Sequence, residues 1–182
     1  MKTVIVFESM FGNTQRLAGD VRDGLVASGA DVALAEVTEA AVEEVAGCDL
    51  LVLAAPTHAL GMSRRQTRAD AVSKGADPVH ATTGVREWLA RLDGALPAAS
   101  SRPRVAVFDT RIGKARRWGG SAAKRVERLL RDQGLTVVDR TSFFVDSTVG
   151  PLSPGEQERA RAWGRALGDS VLASLGRDGG AA

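Results

Sequence analysis

Apolar positions follow two alternating patterns along this chain. "KTVIVF" (2–7) is a short apolar, β-branched run, which predicts a buried strand. From Thr14 onward, Leu17, Ala18, Val21 and Leu25 recur at helical spacing, and Gly29 supplies a stop. "DVALAEV" (31–37) predicts a second strand, and Thr38 the cap of a short helix over "EAAVEEV". "DLLVLAA" (49–55) is apolar throughout, as a strand covered on both faces should be. Val85, Trp88, Leu89 and Leu92 predict a helix, and "RVAVFD" (104–109) a fourth strand. Ala122, Ala123, Val126, Leu129 and Leu130 predict another helix, ended by Gly134, before a fifth strand, "LTVVDRTSFFV" (135–145). The last helix is expected to open at "SPGE", with Ser153 as N-cap, Pro154 at the first helical position and Glu156 at the third. Ala160, Trp163, Leu167 and Val171 continue it on one face.

Five alternations of strand and helix predict a parallel sheet with helices on both faces, because each parallel connection needs a right-handed crossover. The pattern shows no internal repeat and no linker. One domain over 1–176 is expected, with 177–182 as a disordered tail. The irregular part is residues 56–84, where "RRQTRADAVSK" predicts one helix. A gap of that length in a compact domain is usually functional.

Composition narrows the class. The chain has 182 residues, 44% hydrophobic and 25% charged, as a soluble globule with a real core requires. The single cysteine, Cys48, excludes an intrachain disulfide and a cysteine zinc cluster, and reads as an inert small hydrophobe. The longest apolar run, Leu50 to Ala55, is too short to span a bilayer. The strand-like "TVIVF" follows Lys2 with no leader pattern, so a cytoplasmic protein is expected, with neither membrane nor nucleic acid as partner. The net charge of +2 hides an asymmetry: residues 1–60 carry −6 and residues 61–182 carry +8.

The chemistry gathers first in "FESMFGNTQRLA", Phe7 to Ala18. It lies between the first strand and the first helix, where a parallel sheet binds its ligands. Unpaired N–H groups at the helix start attract an anion. Gly12 admits a close approach, Ser9 and Thr14 add hydroxyls, and Asn13 an amide. There is no G-x-x-x-x-G-K-[ST] and no G-x-G-x-x-G at this position, which removes the nucleoside triphosphatase loop and the dinucleotide fingerprint. A response-regulator receiver needs an Asp at the end of the third strand, where this chain has Ala54, Ala55 and Pro56.

"VIVFESMFGNTQRLA" resembles the first-strand motif of the flavodoxin family, in which a hydroxyl residue, then Gly, Asn and Thr, wrap the phosphate of FMN. Ser9, Gly12, Asn13 and Thr14 match, while Met10 and Phe11 stand where many flavodoxins have threonine and are left to donate backbone N–H groups. "GPLSPGEQERARAWGRAL" is similar to the entry of the last helix in such domains. The resemblance implies a doubly wound, five-stranded parallel sheet of order 2-1-3-4-5, of the short-chain type. It also implies that the flavin ring lies between the loops after the third and fourth strands. Pro56, Thr57, His58 and Ala59 are then expected on one side, and Asp109, Thr110 and Arg111 on the other. The family usually stacks Trp and Tyr on the flavin, and this chain has no tyrosine. His58, Met62 and Trp118 are the candidates for that contact; Trp88 and Trp163 fall on apolar helical faces and read as core.

Many flavodoxins surround the reduced, anionic flavin with acidic residues. Here both flanking loops are basic: Arg64, Arg65 and Arg68 on one side, and Arg111, Lys114, Arg116 and Arg117 on the other. Such a rim raises the flavin potential or steers an acidic partner or anionic substrate.

Three functions remain open on these residues. The first is an FMN-binding electron carrier between a reductase and an acceptor, with a redox partner protein or an anionic small molecule as its partner. The second is an FMN-dependent NAD(P)H:quinone or small-molecule reductase, in which residues 56–84 shape a substrate pocket or a dimer contact. The third is a non-redox module that has lost the flavin. Monomer and homodimer are both open. No general base, nucleophile or metal cluster stands out, so no catalytic residue is assigned.

Overall fold

The structure, a computed structural model, describes residues 1–45, 47–96, 102–113 and 120–179. The strands are β1 (Lys2–Phe7), β2 (Asp31–Glu36), β3 (Leu50–Pro56), β4 (Arg104–Ile112) and β5 (Thr136–Val145). The helices are α1 (Asn13–Ala27), α2 (Arg65–Val72), α3 (Val85–Ala95), α4 (Ala122–Asp132) and α5 (Glu156–Gly179). All strand pairs are parallel and the sheet order is β2-β1-β3-β4-β5. This is the doubly wound order expected from the sequence.

The two-residue period of the strands sorts side chains between the two faces. Val4, Val6, Leu51, Leu53, Val105 and Val107 meet Trp88 and Leu89 of α3 and Val126 of α4. Ile5, Phe7, Val52 and Phe108 meet Leu17 and Val21 of α1 and Leu167 of α5. Central strands apolar at every position are therefore the result of cover on both sides. α1 and α5 approach closely: a Cβ on Gly24 would overlap the backbone of Arg161, and one on Gly164 the backbone of Val21.

Three elements differ from the sequence pattern. Thr38 caps no α-helix; it lies in a turn at 37–39, which is followed by a 3₁₀ turn, Val42–Val45, that buries Val42 and Val45 at the i, i+3 spacing such a turn presents to one side. β4 runs three residues past Asp109, to Ile112. α5 begins at Glu156, not after Ser153. The Ser153 hydroxyl donates to Asp146 (2.6 Å), Gly155 sits at φ 80, and the Glu156 carboxylate accepts from the N–H of Phe144 (2.8 Å). α5 also continues through Gly179, past the 177 boundary of the expected tail; residues 180–182 lie outside the described residues. The helix expected within 56–84 forms as α2, followed by a 3₁₀ turn at Pro78–Ala81. Among the described residues no helix is long and apolar enough to cross a membrane.

Candidate functional site

The loop between β1 and α1 is shaped by one glycine. β1 hands over through Glu8, whose N–H donates to the Ala54 carbonyl at 2.9 Å. Gly12 then takes φ 80, a left-handed conformation open to glycine at little cost, and its carbonyl accepts the first helical hydrogen bond, from Arg16 N (2.9 Å). No side chain caps the N-terminus of α1, and no acidic residue stands in its first turn. Its leading N–H groups keep their partial positive charge and face the carboxyl end of the sheet. Beside them Ser9 is buried, and its Oγ has no hydrogen-bond partner among the described residues. Thr14 is also buried, and its hydroxyl meets that of Thr110 at the end of β4, 2.8 Å away.

These groups line a cavity of about 310 Å³ at the carboxyl ends of β1, β3 and β4. Pro56, Thr57, His58 and Ala59 form one side, and Thr110, Arg111 and Ile112 another. Thr57 N donates to the Thr110 carbonyl (2.8 Å), so both loops leave the sheet at one level. His58 and Gly61 exchange backbone hydrogen bonds of 2.8 and 2.9 Å across a tight turn. The two residues between them, Ala59 and Leu60, have φ of 45° and 63°. This left-handed pair without glycine is the strained geometry that concentrates at ligand sites. Burial holds the His58 imidazole below its ordinary pKa despite a hydrogen bond to the Thr67 backbone, and the nearby Arg68 and Lys74 charges depress it further. His58 is therefore a neutral ring on the cavity wall.

Comparison with known structures fixes the architecture. A flavodoxin from the domain Archaea superposes with a TM-score of 0.64 at 18% identity, over 94% of this chain and 99% of that one. The Megasphaera elsdenii flavodoxin gives 0.61 at 20% identity, over 90% and 98%. The flavodiiron protein from Giardia intestinalis gives 0.60 at 20%; the match covers 94% of this chain and 36% of that longer one. The chain has the flavodoxin-like fold. No family model matches the sequence, and no curated protein matches it.

In this flavodoxin-like frame, the residues expected from the sequence converge, with two qualifications. Gly12 shapes the loop and does not line the cavity. Asp109 lies beneath the cleft, fully buried. Its Oδ2 accepts from the Thr57 hydroxyl (2.7 Å), the Ser121 hydroxyl (2.6 Å) and Ala123 N (3.2 Å). It braces the β3 loop against the start of α4 instead of facing the ligand space. Of the stacking candidates, His58 lines the cavity and Met62 is buried in the core with α3 and α4. Trp118 lies outside the described residues, as do Lys114, Arg116 and Arg117. Trp88 is core, donating to the Ala40 carbonyl (2.9 Å). Trp163 is half-buried, edge-on to Phe108 and Phe143, and donates to Asp139 (2.7 Å). Burial raises the Cys48 thiol to about 11, consistent with an inert side chain.

Arg68 is the main correction to the expected basic rim. It is 1% exposed. Its guanidinium donates to the Ala81 carbonyl (3.1 Å), the Ser63 hydroxyl (3.0 Å) and Glu87 (3.1 Å). Glu87 in turn accepts from Gly84 N (3.0 Å), and the neighbouring Val85 N donates to Glu8 (2.9 Å). Burial raises the Glu8 carboxyl above its ordinary value, against the opposing Ser63 and Val85 hydrogen bonds and the Arg68 charge. Burial is the largest single influence on Glu87 and works to raise it, but the Arg68 hydrogen bond and charge, together with the backbone hydrogen bonds at Glu87 and Gly84, outweigh it and leave that carboxyl low. Arg68 thus anchors the 56–84 segment to the base of α3. Arg64 and Arg65 remain exposed.

The sequence reading missed a further wall. Thr67, Asp70, Ala71 and Lys74, on and just after α2, also line the cavity, joined by Val145 at the end of β5 and Thr148 beyond it. The signal was present in the sequence, since these α2-segment positions stand at i, i+3, i+4 and i+7.

Proposed function

We propose that this chain binds FMN in the cavity and carries electrons between a reductase and an acceptor. The observation that supports this most directly is the unpartnered, buried Ser9 hydroxyl beside the uncapped start of α1. Donors gathered without an acceptor suit a phosphate dianion, which such a nest attracts through its N–H groups and hydroxyls. The neighbours named flavodoxins, and the diflavin flavoprotein from Nostoc among the similar structures, support the same ligand.

FMN, when bound, supplies reversible electron uptake at its isoalloxazine ring. The chain supplies the rest. Ser9 to Thr14 hold the phosphate. Pro56–Ala59 and Thr110–Arg111 flank the ring space, and neutral His58 adds no charge there. Arg111, on the wall, stabilises negative charge that the ring acquires. Such a protein works in solution, as the cytoplasmic expectation has it.

Titration of apoprotein with FMN, riboflavin and FAD tests the reading. FMN binds more tightly than riboflavin, because the nest acts only on the phosphate. Equal affinity for the two overturns the phosphate site, and no flavin uptake leaves a non-redox module. The reductase reading is supported by the 56–84 segment, whose α2 lines the cavity and can border a second substrate as well as the flavin. NAD(P)H oxidation by the yellow protein without an added reductase selects it.

A further inference from the structure

The cavity has two sides of different origin. The Ser9–Thr14 loop and the strand ends form the inner side. The outer side is α2, a helix set into the connection between β3 and α3. Its stripe of Thr67, Asp70, Ala71 and Lys74 places a hydroxyl, a carboxylate, a methyl and an ammonium along the cavity. Packing fixes the distance between the sides. Ala71 and Ala76 bury against Met10, with Val72 and Phe11 at the margin, so α2 rests on the phosphate loop itself. Lys74 N donates to the Ala71 carbonyl (3.0 Å), so the lysine leaves the helix one turn beyond that contact. Among the described residues the Lys74 ammonium has no ion pair and the Asp70 carboxylate has none. The helix is held rigidly, because buried Arg68 ties its other side to Ser63, Ala81 and Glu87.

Resting on the FMN reading above, we infer that the α2 segment is the second half of the phosphate site. Lys74 supplies a cation to the phosphate monoester across from the Ser9–Thr14 nest, and Asp70, one turn earlier, opposes it and faces the hydroxyl-bearing part of the ligand. A helix N-terminus carries only about half an elementary charge. A dianion held there alone is left with net negative charge, and a lysine with no protein partner on the facing wall offsets it. The ammonium stays hydrated, so its effect is moderate and sensitive to salt.

The test is the ratio of FMN to riboflavin affinity, measured by fluorescence titration of apoprotein. Riboflavin lacks the phosphate, so the ratio isolates the charged group from any change in the fold. Lys74→Met is expected to lower the ratio roughly three- to tenfold at low salt. Lys74→Arg restores most of it. Asp70→Asn moves the ratio the opposite way, roughly two- to threefold, because it removes a negative charge near the phosphate. Arg65→Met, on the exposed side of the same helix, leaves the ratio unchanged. Raising the salt narrows the differences. An equal loss of both ligands in Lys74→Met, or an unchanged ratio, overturns the inference while the FMN reading stands. Apoprotein that takes up no FMN at all overturns that reading and this one with it.

Discussion

The hydroxyls of Thr14 and Thr110 lie 2.8 Å apart, both buried, one in the first turn of α1 and the other at the end of β4. They join the β1–α1 loop to the far wall of the cleft. Either hydroxyl can donate, and the arrangement leaves both with further acceptor capacity.

This pair predicts coupled stability. Thr14→Ala leaves the Thr110 hydroxyl without its partner and is expected to cost about 1–3 kcal/mol of apoprotein stability. Thr110→Ala costs a similar amount. The double variant loses less than the sum, with a coupling near 1 kcal/mol. Urea denaturation of the four proteins measures it; strict additivity would show that the hydroxyls do not interact. Both single variants also weaken FMN binding, since each shifts a cavity wall.

Gly12 makes a second prediction, with a physical basis different from that suggested by the sequence. The motif suggested that a side chain there would block close approach. A Cβ at Gly12 meets no atom within 4 Å, so the constraint is the φ of 80°. Gly12→Ala is therefore expected to cost about 1–2 kcal/mol through backbone strain even without ligand. Gly12→Asn, which tolerates this conformation better, costs less. Thermal unfolding of the apoproteins ranks the three.

The network around Arg68 predicts a pH effect. Burial holds the folded Glu8 carboxyl above 4.5, so the folded chain binds this proton more tightly than the unfolded chain does. The resulting stability is present below pH 4.5 and is lost as pH rises toward the folded value. Glu8→Gln removes that dependence. Its stability relative to the parent improves as pH rises above the ordinary carboxylate range. A difference independent of pH between the two denaturation curves would refute this. Arg68→Leu leaves the Ser63 hydroxyl and the Ala81 carbonyl without their partner and frees the segment, with an expected loss of about 1–3 kcal/mol and faster tryptic cleavage within residues 64–74.

Much of the fold was legible because burial on both sheet faces leaves a strong mark. Leu50 to Ala55 cannot be polar anywhere, and the spacing of Leu17, Val21 and Leu25 has a single helical solution. The misreadings share another cause: local capping lost to tertiary bonds. Ser153 has the composition of a cap, but Asp146 takes its hydroxyl and Glu156 is drawn to the edge of β5. Thr38 also reads as a cap. Between the buried Val37 and Cys48, however, the chain turns at once, with Glu39 N and Ala40 N both donating to the Glu36 carbonyl, and then tucks Val42 and Val45 inward in a 3₁₀ turn. At the site, the loop residues after three strands were readable because topology alone gathers them. Arg68 and Asp109 were misread because a charged side chain near a cleft has the same sequence signature whether it faces the ligand or braces the wall. Only their partners, Glu87 and Ser63 for one and Thr57 and Ser121 for the other, separate the cases.

The last prediction concerns what is left of the basic rim. With Arg68 buried, the described arginines of the two loops divide by position. Arg111 stands on the cavity wall, half-buried, while Arg64 and Arg65 are exposed and do not line it. A cation about 5 Å from an anion, at an effective dielectric near 20, stabilises it by roughly 3 kcal/mol before screening. For a one-electron couple, 59 mV corresponds to about 1.4 kcal/mol, so a contact of that kind shifts the potential by the order of 100 mV, less where water enters. Arg111→Gln is thus expected to lower the potential at which the bound flavin takes up its negative charge by tens of millivolts. Neutralising Arg64 and Arg65 together leaves that potential nearly unchanged, but slows association with an acidic redox partner at low salt, and the slowing fades as ionic strength rises. Redox titration beside stopped-flow reduction at several salt concentrations reads both effects. If Arg111→Gln keeps the parent potential while the Arg64, Arg65 variant changes it, the division of roles is the reverse of the one drawn from their positions.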